Sequence, residues 1–291
     1  MIYLDHFGLT ESPFGITPDT GFIYASPAHQ EALATVQLAV RSGEGFVKVT
    51  GEVGTGKTLL CRALLQSLQA APDTVTAYVP NPRLTPREML RVLATELALS
   101  FNRRSASRDI YEIVESGLMQ FAQAGRNVVL CIDEAQAMPV ETLESLRLLS
   151  NIETGKRKLL QVVLFGQPEL DAVLSLPECR SLASRIAFSA RLLPLSQSDL
   201  RHYLQHRLRV AGWRGPDVFT PLARWLLRRA SGGVPRRANI LAHKGLMLAY
   251  GDGVHRVGLA HAWAAARDGR LRPPAQAATA SAGAIPFGAQ S

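Results

Sequence analysis

Over the first 195 residues, short apolar runs of strand length alternate with stretches whose apolar residues recur every three or four positions. The strand-like runs are residues 45–50, 74–79, 127–132 and 159–165, and a last short strand is expected at 192–195. Helical periodicity covers 59–69, 85–99, 110–124 and 140–150. Thr85 stands where an N-cap is wanted, and Pro86 at the first helical position. Strands alternating with helices in this way predict an α/β fold built on a five-stranded parallel sheet.

After residue 195 the strand pattern stops and four helical stretches follow, at 197–211, 221–231, 236–250 and 258–267. The chain therefore divides into an N-terminal arm with a first helix (1–40), an α/β core (41–195), a small all-α lid (196–270) and a tail (271–291). The tail is rich in Ala, Pro and Gly, is uncharged from residue 273 onward, and is expected to be disordered. No internal repeat is visible.

Composition narrows the class. Of the 291 residues, 47% are hydrophobic and 19% charged, as in a soluble globular protein. The most apolar run, 128–132, is far too short to cross a bilayer. Residues 1–8 carry Asp5 and have neither the basic nor the apolar segment of a secretory signal, so a cytoplasmic location without membrane insertion is expected. Cys61, Cys131 and Cys179 are widely spaced with no CxxC, which favours free thiols over disulfides or zinc. Charge is uneven: residues 1–200 hold 18 Lys and Arg against 21 Asp and Glu, whereas 201–272 hold 14 against 3. The lid is thus strongly basic, which favours phosphate, acidic lipid or acidic protein partners.

Two motifs carry chemistry. Gly51-Glu52-Val53-Gly54-Thr55-Gly56-Lys57-Thr58 fits GxxxxGK[ST] between an apolar strand and a helix that includes Leu59. Glycines free the backbone to turn consecutive N–H groups toward phosphates, and the helix start adds its positive dipole end. Lys57 is placed to bridge the β- and γ-phosphates of ATP, and the Thr58 hydroxyl to ligate Mg²⁺. Strand 127–132 delivers Asp133 and Glu134 at its C-terminal end, where open α/β sheets bind ligands. Asp133 is the expected metal-side carboxylate and Glu134 the group that polarises the attacking water.

Weaker candidates follow in chain order. Gln167, in Gly166-Gln167-Pro168 after strand 159–165, is placed to sense that water; otherwise it is a turn residue. Arg185 is placed to reach a neighbouring subunit's ATP, with Arg180 as its competitor and an internal ion pair as the alternative. In Gly232-Gly233-Val234-Pro235-Arg236-Arg237 the glycines end one helix and Pro235 starts the next, fixing Arg236 in a first turn from which it can sense nucleotide; Arg237 is the lesser candidate. Asn81, just beyond strand 74–79, is a candidate restraint on Glu134.

This order of motifs resembles that of AAA+ ATPases. Further likeness is to the secretion-associated ATPases of the ExeA/GspA type. It is carried by Tyr3-Leu4-Asp5-His6-Phe7-Gly8-Leu9, Pro13-Phe14, Thr17-Pro18-Asp19, His29-Gln30-Glu31-Ala32-Leu33, the stretches 45–62 and 143–151, and Phe165-Gly166-Gln167-Pro168-Glu169-Leu170. Residues 44–62 and Thr76-Ala77-Tyr78-Val79-Pro80-Asn81-Pro82 look like the MshM-type subgroup, which serves mannose-sensitive haemagglutinin (type IV) pilus biogenesis. Longer ExeA-type members carry a transmembrane helix and a peptidoglycan-binding domain after the ATPase. Neither is readable here, which favours the pilus subgroup and attachment to the inner membrane through partner proteins. The resemblance implies an ATP- and Mg²⁺-dependent homo-oligomer and a place for Phe14 or Tyr24 near adenine; the alternative for these aromatics is anchoring the arm. Two other readings stay open: a DNA-associated ATPase of the transposition-regulator kind, and a nucleotide switch with little turnover.

Overall fold

The structure is a computed structural model that describes residues 2–15, 20–22, 24, 26–102, 106–154 and 157–268. The tail expected at 271–291 and the motif residues Thr17, Pro18 and Asp19 lie outside the described residues.

Five parallel strands form the sheet: β1 (Phe46–Gly51), β2 (Thr74–Val79), β3 (Asn127–Ile132), β6 (Leu160–Gly166) and β7 (Ile186–Leu192), in the order β2-β3-β6-β1-β7. A small hairpin, β4 (Glu153–Thr154) with β5 (Arg157–Lys158), precedes β6. The central strands are apolar along their length because helices cover both faces. Successive residues of β3 serve opposite faces. Val129 and Cys131 join Val49, Val163 and Phe165 beneath α2 (Pro27–Arg41) and α3 (Lys57–Gln69). Val128, Leu130 and Ile132 join Leu93, Ile110, Leu118 and Leu146 beneath α4 (Pro86–Glu96), α5 (Ser107–Gln123) and α6 (Val140–Leu149).

Local chemistry sets the helix ends. Thr85 caps α4 through a reciprocal box with Glu88, and Pro86 takes the first position. The helix stops at Glu96, short of residue 99, with Ala98 in the left-handed region at φ 54°. The last strand is also displaced from its expected position. It runs over Ile186–Leu192, paired with β1 through Val49↔Ala190 and Gly51↔Leu192, and not over 192–195. As an edge strand it alternates, with Ala187, Ser189 and Arg191 exposed and Ala190 and Leu192 buried. The apolar run beyond it is misleading, for Leu193 is exposed.

After β6 come α7 (Glu169–Leu174) and α8 (Arg180–Ala183). The C-terminal helices are α9 (Gln197–Val210), α10 (Pro221–Ser231), α11 (Pro235–Gly251) and α12 (Leu259–Asp268). Their core includes Leu204, Leu208, Phe219, Leu227, Leu241 and Leu246, and also Tyr3, Phe7, Leu9, Phe14 and Phe22 from the chain's start. The arm, with its short helix α1 (Leu4–Phe7), is therefore packed into the lid, while α2 packs on the sheet.

Candidate nucleotide site

The site forms where β1, β3 and β6 end and the lid comes down over them. Gly51 closes β1, and α3 begins at Lys57 with Gly56 as its cap at φ 103°. Gly54 has φ 83°. Both values lie where side chains are disfavoured, and there is no room for one. A Cβ on Gly54 would stand 2.7 Å from the Cβ of Arg236, and one on Gly56 would stand 2.8 Å from Nε2 of His29. The loop is thus gripped by the lid on one side and by α2 on the other. His29 accounts for the second grip. Its Nε2 donates to the Thr55 carbonyl at 2.9 Å, which leaves Nδ1 to accept from the Ser26 hydroxyl at 2.7 Å. Burial holds the imidazole below its ordinary pKa, in keeping with the neutral form.

Lys57 curls into the loop, donating to the Gly51 carbonyl at 2.8 Å and the Glu52 carbonyl at 3.1 Å. Burial pulls its pKa down, and the charges of Glu134, Asp133, Glu52 and Glu169 oppose that pull. The Thr58 hydroxyl donates to Asp133 Oδ2 at 2.6 Å, so the two expected metal-side oxygens already face one another. Asp133 is almost wholly buried and its Oδ1 accepts from the Glu134 N–H at 2.9 Å. Hard oxygen donors beside a glycine-rich loop at a helix start fit Mg²⁺ carried by nucleotide phosphates.

Glu134 is placed with unusual constraint. Its backbone is left-handed at φ 52°, a conformation non-glycine residues adopt at a cost of about 1–2 kcal/mol. Its Oε2 accepts from Gln136 Nε2 at 2.6 Å and from Gln167 Nε2 at 3.0 Å. Burial pushes the carboxyl up, but those two amide bonds and the Lys57 charge outweigh it and hold it below the ordinary value. The group is therefore a carboxylate at neutral pH. Gln136 also accepts from the Gln167 N–H at 2.9 Å, which ties the tip of β6 to the acidic strand end. Sequence reasoning finds Gln167 but misses Gln136 and gives the restraint on Glu134 to Asn81. Asn81 instead accepts from the Arg83 N–H.

The lid completes the walls. The cleft is lined by Gly54, Lys57, Thr58 and Glu134 from the core and by Tyr203, Arg207, Pro235, Arg236 and Asn239 from the lid, with Gly15 of the arm between them. The Arg236 N–H donates to the Gly54 carbonyl at 3.3 Å, which sets Arg236 beside the loop. An adjoining apolar pocket is walled by Phe22, Tyr24, His29, Leu33 and Leu59. Phe14 is not there; it is buried in the lid core, edge-on to Phe219. Arg185 is absent from the cleft lining as well, and its guanidinium bonds the Asn151 side chain. Among the described residues there is no cluster of three or more His, Cys, Asp or Glu able to hold a metal by itself, and no helix long and apolar enough to cross a membrane.

Comparison with known proteins agrees with this geometry. Residues 40–174 match the family model described as an AAA domain. General secretion pathway protein A of Aeromonas hydrophila is 43% identical over 256 residues, 88% of this chain and 46% of that protein. The chain thus spans about half the length of that relative. Among solved structures, Cdc6p of Pyrobaculum aerophilum superposes with a TM-score of 0.65 at 17% identity, over 83% of this chain and 68% of that one. The Aeropyrum pernix ORC1 protein, solved in complex with DNA, gives 0.62 at 20% identity, over 89% and 69%. The Thermotoga maritima RuvB Holliday junction branch migration motor gives 0.55 at 18%, over 82% and 68%. At such identities the structures speak for the fold alone. With a phosphate loop, an acidic strand end and a helical lid meeting at one cleft, the chain is folded as an AAA P-loop ATPase, similar to an AAA domain over residues 40–174 and in sequence to general secretion pathway protein A.

Proposed function

We propose that this chain hydrolyses ATP to drive assembly of a secretion machine, and that its setting is an MSHA-type (type IV) pilus or type II-like system at the inner membrane. The observation that carries the catalytic part is Glu134, an ionised carboxylate fixed by two amide donors beside Lys57 and the Thr58–Asp133 pair. In this reading residues 51–59 bind the phosphates, Lys57 neutralises charge that builds on them, and Thr58 and Asp133 hold the metal. Bound Mg²⁺ would neutralise phosphate charge and fix its orientation. Glu134 takes the proton of the attacking water, and Gln167 orients both. Arg236 joins the lid's position to the nucleotide's state. Arg185, absent from the lining of its own cleft, serves in this reading a neighbouring copy in a homo-oligomer.

The secretion assignment is supported by the 43% identity to general secretion pathway protein A, and the pilus assignment by the likeness of residues 44–62 and 76–82. Steady-state ATPase assays test the first part. Glu134→Gln should lose roughly 10²–10⁴ in kcat while still binding ATP, and Lys57→Ala should lose binding. Equal rates in both variants and wild type would sink the catalytic reading and leave a nucleotide switch. Co-purification with inner-membrane pilus assembly proteins, with and without ATP, tests the second. The basic balance of residues 201–272 favours one other reading, a DNA-associated ATPase. Salt-sensitive binding to duplex DNA would promote it.

A further inference from the structure

Arg207 lies on α9 in the run Arg201-His202-Tyr203-Leu204-Gln205-His206-Arg207, which reads as a solvated basic face, yet it is only 6% exposed. Among the described residues no carboxylate pairs with it. Its Nε donates to the Pro13 carbonyl, one terminal nitrogen to the Tyr203 hydroxyl at 3.4 Å, and the other to the Gly15 carbonyl at 3.5 Å. The Phe22 ring lies 4.8 Å beneath the guanidinium. A guanidinium has five N–H donors, so two are left over after these three bonds. The same side chain walls both the phosphate cleft and the apolar pocket, at the seam the two share with Tyr203 and Pro235. A buried cation with spare donors and no counter-charge is costly until an anion completes it.

We infer that Arg207 is a nucleotide-binding residue, whose spare donors take the ribose and α-phosphate that join the base to the terminal phosphates. The inference rests on reading the cleft as an ATP site. It separates the work of two lid arginines. Arg236 lines only the phosphate cleft, whereas Arg207 lines the apolar pocket as well and so meets the part that ATP and ADP have in common. Arg207 also sets the arm's course: Asn239 donates to the same Gly15 carbonyl at 3.1 Å and accepts from Tyr203 at 2.7 Å. A nucleotide held there braces arm and lid at once.

Calorimetric titration of the full chain with unlabelled MgATP and MgADP tests this, each variant being assayed below its own melting temperature. Arg207→Gln should weaken both nucleotides by one common factor, roughly tenfold to a hundredfold. Arg207→Lys, which keeps the charge and loses the fork, should fall between. Arg236→Ala should instead weaken ATP more than ADP. A purely structural arginine would lower the melting temperature and leave both affinities untouched; that result, or a loss confined to ATP, overturns the assignment. Should Arg207→Gln not fold, the lysine variant decides by the same criterion. A wild-type protein that binds neither nucleotide removes the ATP-site reading, and Arg207 with it. A binding wild type with an indifferent Arg207 variant removes Arg207 alone.

Discussion

Gly54 is where the phosphate loop touches the lid, and replacing it with alanine isolates that contact. Its φ is 83°, and an added Cβ would stand 2.7 Å from the Cβ of Arg236 and 3.2 Å from a methyl of Val234. Gly125 is the matched control, with φ 74° and nothing within 4 Å of the added carbon. Both substitutions carry the left-handed penalty of about 1–2 kcal/mol. Only Gly54→Ala meets an atom fixed to another backbone, since a Cβ cannot swing aside as a side-chain tip can. Relief requires shifting the first turn of α11, which breaks the 3.3 Å bond from the Arg236 N–H to the Gly54 carbonyl and loosens Val234, only 4% exposed. One lost hydrogen bond and a forced repacking together make Gly54→Ala about 1–3 kcal/mol worse than Gly125→Ala. The assay is urea unfolding without nucleotide, followed by tryptophan fluorescence. All three tryptophans, Trp213, Trp225 and Trp263, belong to the lid region, so the signal reports the affected part. Equal midpoints for the two alanine variants would refute the argument, because they would mean the lid does not rest on the loop in solution.

Three further outcomes follow from other parts of the site and core. Gln136→Ala removes one of the two amide donors to Glu134, so its carboxyl rises and the acid limb of the ATPase pH profile moves to higher pH; an unmoved limb would show that Gln136 does not hold the carboxylate. His29, His206 and His243 are all held below the ordinary histidine value by burial. Stability is then fully present above about pH 6.5 and is lost as pH falls through that value toward the folded ones. His29→Gln should flatten this dependence between about pH 7.5 and 5.5, read as urea midpoints, and an unchanged slope would contradict the assigned neutral brace. Leu64, fully buried between α3 and the sheet, should cost about 2–5 kcal/mol as Leu64→Ala in the same denaturation assay.

The central sheet was legible because its strands are buried on both faces and its turns carry local signals. β2, β3 and α10 fall on their expected residues, and Thr85 with Pro86 announces α4. β7 was not, since an edge strand alternates and its apolar run is interrupted by the exposed Ser189 and Arg191, while the stronger apolar run lies just past it. Lys57, Thr58, Asp133 and Glu134 could be found from spacing alone because one loop and one strand end present them. Gln136 could not, for its meaning depends on Gln167 arriving from a different strand. Arg207 was hidden for a similar reason. Its burial comes from arm residues almost two hundred positions away, at Pro13 and Gly15.

That packing of the arm into the lid has a consequence for synthesis. Tyr3, Phe7, Leu9 and Phe14 leave the ribosome long before the residues that share their core, such as Leu246 and Ala262. The sheet and its covering helices can close in the meantime, because their contacts lie between these extremes. Four apolar side chains therefore wait in solvent, exposed to proteases and to self-association, until the lid helices have been made. Closing so long a loop slows the last step more than it weakens the product. The nucleotide cleft, which needs arm, core and lid together, cannot form before the lid has followed the sheet out.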